Sequence, residues 1–174
     1  MGIQFETDYN METLTAMAKG LRRTVRKKRS RRVHIFAAVV LILGLLTILA
    51  TTAGGEPLGA SGVVTLLAML VVILVSLFED KLNAWFARKR LLPGAEHAVA
   101  TFEEDGYVSA TGVTESRFSY AQIVAVAETA RYFVFALSSH HTQAYDKRTI
   151  RGGSVEDFRA FIAEKTGKPI ANIK

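Results

Sequence analysis

Any chemistry in this chain must come from four histidines, sixteen carboxylates, twenty-two Lys and Arg residues and scattered hydroxyls, because there is no cysteine. That rules out disulfides, thiolate metal sites, a thiol nucleophile and Fe–S ligation. His140 and His141 are adjacent, so on a strand they would point to opposite faces and share no metal ion. A turn is their expected place. Glu103, Glu104 and Asp105 run together just before Gly106, which reads as a solvated hairpin tip. Glu96 and His97 have no serine in a Gly-x-Ser-x-Gly elbow to work with. Gly152-Gly153 precedes a helical pattern but lacks the Lys-Ser/Thr of a phosphate-binding loop. No nucleophile, metal set or acid–base pair assembles, so the expectation is a non-enzymatic protein with no metal and no cofactor.

One cluster suits an anion. Lys147, Arg148 and Arg151 flank Gly152-Gly153 at an expected helix start, where cations and backbone N–H groups can hold a phosphate or lipid headgroup. The competing reading is a solvated edge strand whose charges prevent aggregation.

The elements that would position these groups are divided by charge. Residues 1–32 carry nine Lys/Arg against three Asp/Glu, whereas residues 95–174 carry nine against ten. The net charge of +6 therefore sits in the N-terminal block. From Val33 to Gly55 no residue is charged if His34 is neutral, and such a helix spans roughly 34 Å, enough for a bilayer core. A second uncharged run extends from Pro57 to Phe78. Neither run has a polar face, so a two-helix transmembrane hairpin is expected. Its parts are a first span over 33–55, an external loop over 56–62, and a second span with its cytoplasmic extension over 63–90. Arg22, Arg23, Arg26, Lys27, Lys28, Arg29, Arg31 and Arg32 precede the hairpin, and Arg88, Lys89 and Arg90 follow it. The connecting loop holds Glu56 and no cation. The positive-inside rule then places both termini of this multi-pass protein in the cytoplasm and only the short loop outside.

Trp85 and Phe86 sit beside the second basic cluster, as an interfacial anchor would. The first cluster is expected to rest on the anionic inner leaflet, gaining about 1 kcal/mol per basic residue. No aromatic side chain lies between Val25 and Val33 to stack on bases, so nucleic acid is not an expected partner. The spans hold no Asp, Glu, Lys or Arg, which argues against transport by this chain alone. Homo-oligomerisation stays open.

Residues 95–174 change period. Strands are expected over His97–Glu103 (Val99 and Thr101 on one side), Tyr107–Val113, Glu115–Tyr120, Gln122–Glu128, Arg131–Ser138 and Thr142–Lys147. Ser154 with Asp157 is a variant capping box for a helix whose apolar stripe is Val155, Phe158, Phe161 and Ile162. Gly167 and Pro169 end it. Ile3 and Phe5 alternate, so residues 2–6 can add a seventh strand. Residues 8–32 read as one helix capped by Asp8, with Met11, Leu14, Met17, Leu21 and Val25 as its stripe, running on into the first span.

The N-terminal Ile-Gln-Phe-Glu-Thr-Asp-Tyr, the basic helix, the hairpin and the β-rich C-terminal part together resemble the YcxB-like family of bacterial membrane proteins. The C-terminal positions that carry the likeness are Phe118-Ser119-Tyr120 with Ile123, Tyr132-Phe133-Val134-Phe135, Ala144 to Arg148, and Val155 to Phe161. The chain departs where members commonly have Trp at Tyr120 and Ile-Pro-Lys at Tyr145-Asp146-Lys147. The resemblance implies an α+β membrane protein whose domain is similar to bacterial pleckstrin-homology-like domains, a small β-barrel or sheet capped by a C-terminal helix. It implies no reaction. The expected function is a cytoplasmic binding module for an unidentified protein partner or an anionic lipid headgroup. An immunity protein against a membrane-active toxin is the alternative.

Overall fold

Period-two alternation builds the first strand. In the computed structural model, which describes residues 2–55 and 57–173, β1 (Ile3–Asp8) buries Ile3, Phe5 and Thr7 and leaves Gln4 and Glu6 half-buried. It pairs antiparallel with β2 (His97–Phe102), Phe5 opposite Ala100. β3 (Tyr107–Thr111) and β4 (Glu115–Phe118) extend this sheet in the order β1-β2-β3-β4. On β2 the buried residues are Ala98, Ala100 and Phe102, with Val99 and Thr101 half-buried. Phe102 decides that register, because turning it outward would expose the strand's largest apolar side chain.

The second sheet contains β5 (Ala125–Glu128), β6 (Tyr132–Ala136), β7 (Thr142–Asp146) and β8 (Ile170–Asn172) in the order β7-β6-β5-β8. β8 runs parallel to β5 and was not expected. Its three residues follow the stop at Gly167 and Pro169, too short a run for periodicity to register. The strands thus form two four-stranded sheets, eight strands in all among the described residues, where one small open barrel or bent sheet of seven was expected. Among the described residues β4 pairs only with β3, and β8 only with β5. β1 also bridges through its backbone to Arg151, in the segment between β7 and the C-terminal helix, with both N–H···O distances 2.9 Å, and Thr7 Oγ1 accepts from Asp146 N at the end of β7 at 3.1 Å.

Every residue of β6 is buried, as its continuous aromatic and aliphatic run requires. Phe133 and Phe135 enter an aromatic core with Phe5, Phe102, Tyr107, Tyr145 and Phe158. The Phe5–Phe158 ring centroids are 4.6 Å apart and the Phe135–Tyr145 centroids 4.8 Å. Tyr132 and Val134 face the other way, against α1 (Met11–Arg23) through Ala16 and Met17. Gly20 permits that approach, since a Cβ there would lie 2.7 Å from Val134 Cγ1.

Asn10, not Asp8, caps α1, its Oδ1 accepting from Glu12 N at 2.9 Å and Thr13 N at 3.0 Å. Asp8 is already committed as the last residue of β1. The helix also stops where the sequence suggested continuation. Thr24 Oγ1 donates to Gly20 O at 2.7 Å, Arg26 N donates to Leu21 O at 2.9 Å, and Arg26 Nε donates to Ser139 O at 2.6 Å. These bonds compete with the helical ladder and turn the chain.

The chain divides into two units, residues up to Lys27 with those from Asn83 onward, and Lys28–Leu82. The latter contains most of α2 (Lys27–Ala53), all of α3 (Ala60–Leu77) and the start of α4 (Glu79–Lys89). α2 and α3 are long and apolar enough to cross a membrane, and their apolar stretches are not buried. Phe36 is 70% exposed and Leu77 73%. Close packing between α2 and α3 occurs at Gly44, where a Cβ would lie 2.8 Å from Met69 Sδ. The helical segment expected over 63–90 breaks at Phe78. Glu79 and Asp80 then open α4, where carboxylates favour a helix N-terminus. Glu56 lies outside the described residues.

The C-terminal helix forms as its sequence dictates. In α5 (Val155–Thr166) Ser154 Oγ accepts from Asp157 N at 3.0 Å, and Asp157 Oδ2 accepts from Ser154 N at 3.0 Å. Gly167 takes the left-handed conformation at φ 61° that ends it. Phe158 and Ile162 then enter the core.

Candidate functional site

β3 and β4 pair Ser109 with Ser116, small residues that leave the space between the sheets unfilled at that end. The result is a groove of about 380 Å³ in the first unit, roofed from the other side by Thr142 and Gln143 of β7. Leu14 and Met17 of α1, Leu91 and Leu92 after α4, Val113 and Phe118 supply its apolar walls, and Tyr9 also borders it.

Gln143 is the group that two sheets conspire to orient. Its side chain is between the sheets, 6% exposed. Tyr107 donates to Gln143 Oε1 at 2.8 Å from β3, and Tyr145 donates to the same atom at 2.6 Å from two residues along β7. Both phenols are held far above their ordinary pKa, chiefly by burial, so they remain donors at any physiological pH. Burial likewise pushes Tyr9 up to about 12. Among the described residues no protein acceptor takes the Gln143 Nε2 protons, and the hydroxyls of Ser109, Ser116 and Thr142 have no hydrogen-bond partner. The groove thus pairs a polar floor with apolar walls, and His141 also lines it.

The three cations singled out from the sequence do not assemble as one anion site. Lys147 is only 13% exposed at its side chain, and its Nζ lies 2.6 Å from Glu128 Oε1 and 2.6 Å from Thr129 O. Arg148 is exposed but pairs with Asp146 at 2.9 Å, and Arg151 pairs with Glu6 at 3.1 Å. The reason is topological: β5 and β1 bring carboxylates beside β7 and the segment after it. Arg159 of α5 completes the buried cluster, donating to Glu128 from Nε at 2.9 Å and from Nη2 at 2.7 Å. Hydrogen bonds from Arg159 and Lys147, outweighing burial, lower the Glu128 carboxyl to about 2. Glu128 therefore ties β5, the turn directly after β7 and α5 together as a charged clasp.

His140 and His141 lie in the β6–β7 turn, where Ser138 Oγ accepts from their backbone N–H groups at 3.1 and 3.0 Å. Glu103 to Gly106 form the β2–β3 turn, with Glu103 N donating to Gly106 O at 2.8 Å. Tyr120 O–H donates across to Glu103 O at 2.6 Å. Among the described residues no three metal-ligating side chains gather. Lys27, Lys28, Arg29, Arg31 and Arg32 are exposed on the first turns of α2. Arg22 and Arg23 lie in the last turn of α1, and Arg88 and Lys89 in the last turn of α4, with Arg90 just beyond. Lys89 Nζ stands 3.7 Å above the ring of Trp85, a cation–π contact.

Sequence reasoning missed Gln143, Tyr9 and the serine pair. A signal existed for Gln143, a neutral polar residue two positions from Tyr145 and so on the same strand face. For Ser109 and Ser116 there was none, since only pairing across two strands makes them neighbours.

Residues 102–162 match the family model described as YcxB-like protein. That segment runs from the end of β2 into α5 and so includes the two serines, Gln143 and the Glu128 clasp. No curated protein and no solved structure matches the chain.

Proposed function

We propose that this chain is a non-enzymatic integral protein of the bacterial cytoplasmic membrane that presents a pleckstrin-homology-like binding module on the cytoplasmic side. The observation that carries this reading is the exposed, uncharged apolar surface of α2 and α3, which in water would be a large liability and in lipid is the ordinary solvent-facing surface. Basic residues flank the outer ends of the two helices, and the described part of their connection holds none, which supports cytoplasmic termini. Two sheets with a C-terminal helix against their shared core support the pleckstrin-homology-like comparison, although the sheets stay open. Internal pairing of Lys147, Arg148 and Arg151 favours the groove between β3, β4 and β7 over that patch as the binding site.

The natural lack of cysteine makes topology directly testable. Single-cysteine variants Gly59→Cys and Ser154→Cys are labelled in intact cells with a membrane-impermeant maleimide. The expected result is labelling at 59 without permeabilisation and at 154 only after it. Release of the full-length protein from membranes by alkaline carbonate, or the reverse labelling pattern, overturns the reading.

A further inference from the structure

We infer that the first unit lies against the anionic inner leaflet of its own membrane through a surface formed by the end of α4, the linker after it and the β3–β4 turn. Trp85, Phe86, Leu92 and Val113 enter the interfacial layer there, and Arg88, Lys89 and Arg90 meet lipid phosphates. The β3–β4 turn is a second contact, distant in sequence from the aromatic pair. This rests on the membrane-anchored reading above, which supplies the bilayer.

Exposed apolar side chains of this unit gather in one place. Among its described residues the exposed large apolar ones are Trp85, Phe86, Leu92, Val113 and Val124, and all but Val124 belong to this surface. Ala84, beside Trp85, is fully buried, so α4 turns one side to the unit and leaves its aromatic side uncovered. The turn is fastened to the linker: Gly112 N donates to Gly94 O at 3.0 Å, and a Cβ on Gly112 would lie 2.7 Å from that oxygen. Thr111 Oγ1 accepts from Val113 N at 3.4 Å and from Thr114 N at 3.2 Å. Val113 is thereby held at 53% exposure on a fixed turn, and Leu92 lines the same groove.

The cations divide in the same way. Each of the five arginines after β3, Arg117, Arg131, Arg148, Arg151 and Arg159, is in an ion pair. Arg88, Lys89 and Arg90 have no ionic partner among the described residues, and Lys89 stands over Trp85 instead. Asp8 and Glu96 share a pocket with Arg88, but they are committed to His97 Nδ1 and to Gly94 N, each at 2.7 Å. Cations set among rings and aliphatic side chains would interrupt a purely apolar protein contact. They suit a bilayer interface, where rings lie at headgroup depth and cations reach the phosphates. Trp85 comes eight residues after Leu77, the end of α3, so at most about 28 Å of chain separates them. A tether that short keeps the surface at a high effective concentration beside the leaflet.

The test uses full-length single-cysteine variants Val113→Cys and Val124→Cys, each carrying a spin label, in nanodiscs of anionic or zwitterionic phospholipid. Power saturation compares collisions with oxygen, which concentrates in lipid, and with a water-soluble nickel chelate. In anionic nanodiscs oxygen should dominate at 113 and the chelate at 124, although Val124 is 51% exposed and Val113 53%. Changing Arg88, Lys89 and Arg90 to Gln should lower the docked-to-free ratio at 113 by about fivefold per cation, on the order of a hundredfold together. Leu92→Asp should return 113 to water.

A label at 113 as open to the chelate as that at 124, or equal depth in both lipids, overturns the inference. Dipolar broadening at 113 that ignores lipid charge places a second copy on this surface and overturns it too. Carbonate extraction of the same variants separates the two readings. Retained protein with a hydrated 113 refutes only the leaflet contact, whereas released protein refutes the anchor.

Discussion

Replacing Glu128 by Gln should unclasp the domain, with an effect that depends on pH. The Glu128 side chain is 6% exposed and accepts from Lys147 and Arg159. Its carboxyl is lowered from an ordinary 4.5 to about 2 in the folded state. That difference corresponds to about 3 kcal/mol favouring the folded state when the group is ionised. Because the folded pKa is the lower one, the unfolded chain binds more protons between these values. Stability from Glu128 is therefore complete above about pH 4.5 and is lost as pH falls through about 2. Glu128→Gln removes the charge and leaves the Lys147 ammonium, 13% exposed, without its counter-ion. At pH 7 the variant should be less stable by about 3 kcal/mol, lowering Tm by roughly 10–15 °C for a domain of this size. Full-length protein in a mild detergent, followed by near-UV circular dichroism during heating at several pH values, reads both quantities. Other carboxylates titrate equally in the two proteins, so the difference between them isolates Glu128. Equal Tm values at pH 7, or a difference that persists undiminished towards pH 2, would refute the clasp.

Gly20→Ala places a Cβ 2.7 Å from Val134 Cγ1, and the resulting shift of α1 should cost about 1–3 kcal/mol in urea denaturation. No measurable cost would mean that α1 does not pack on β6 as described. Gln143→Leu strips the acceptor from the Tyr107 and Tyr145 hydroxyls and should destabilise by about 1–3 kcal/mol. Adding Tyr107→Phe and Tyr145→Phe should recover part of that loss, a rescue that simple loss of volume would not give. Trp85 is the chain's single tryptophan, so its fluorescence reports one position. Quenching by lipids brominated near the headgroup should exceed quenching by lipids brominated at the chain ends, and the opposite order would remove Trp85 from the interface.

The apolar spans, the capping box at Ser154 and Asp157, and β6 were legible in the sequence because each is a local signal. A charge-free run, a hydroxyl three residues from a carboxylate, and an unbroken aromatic stretch carry their meaning in one window. Boundaries failed where distant partners intervened. Arg26 reaches the β6–β7 turn and ends a helix that periodicity alone would continue. β8 exists because β5 offers it an edge.

What the sequence determined by itself is a hydropathic division, two membrane-length helices and a β-rich remainder, since burial preference is a property of each residue type and its spacing. Only the tertiary structure decided the fate of the charges and the place of the groove. Lys147 reads as a surface cation until Glu128 and the Thr129 carbonyl close round it. Ser109 and Gln143 read as unremarkable polar residues until two sheets set them across one space. Pairing and enclosure join residues far apart in the chain, so no local window of sequence contains them.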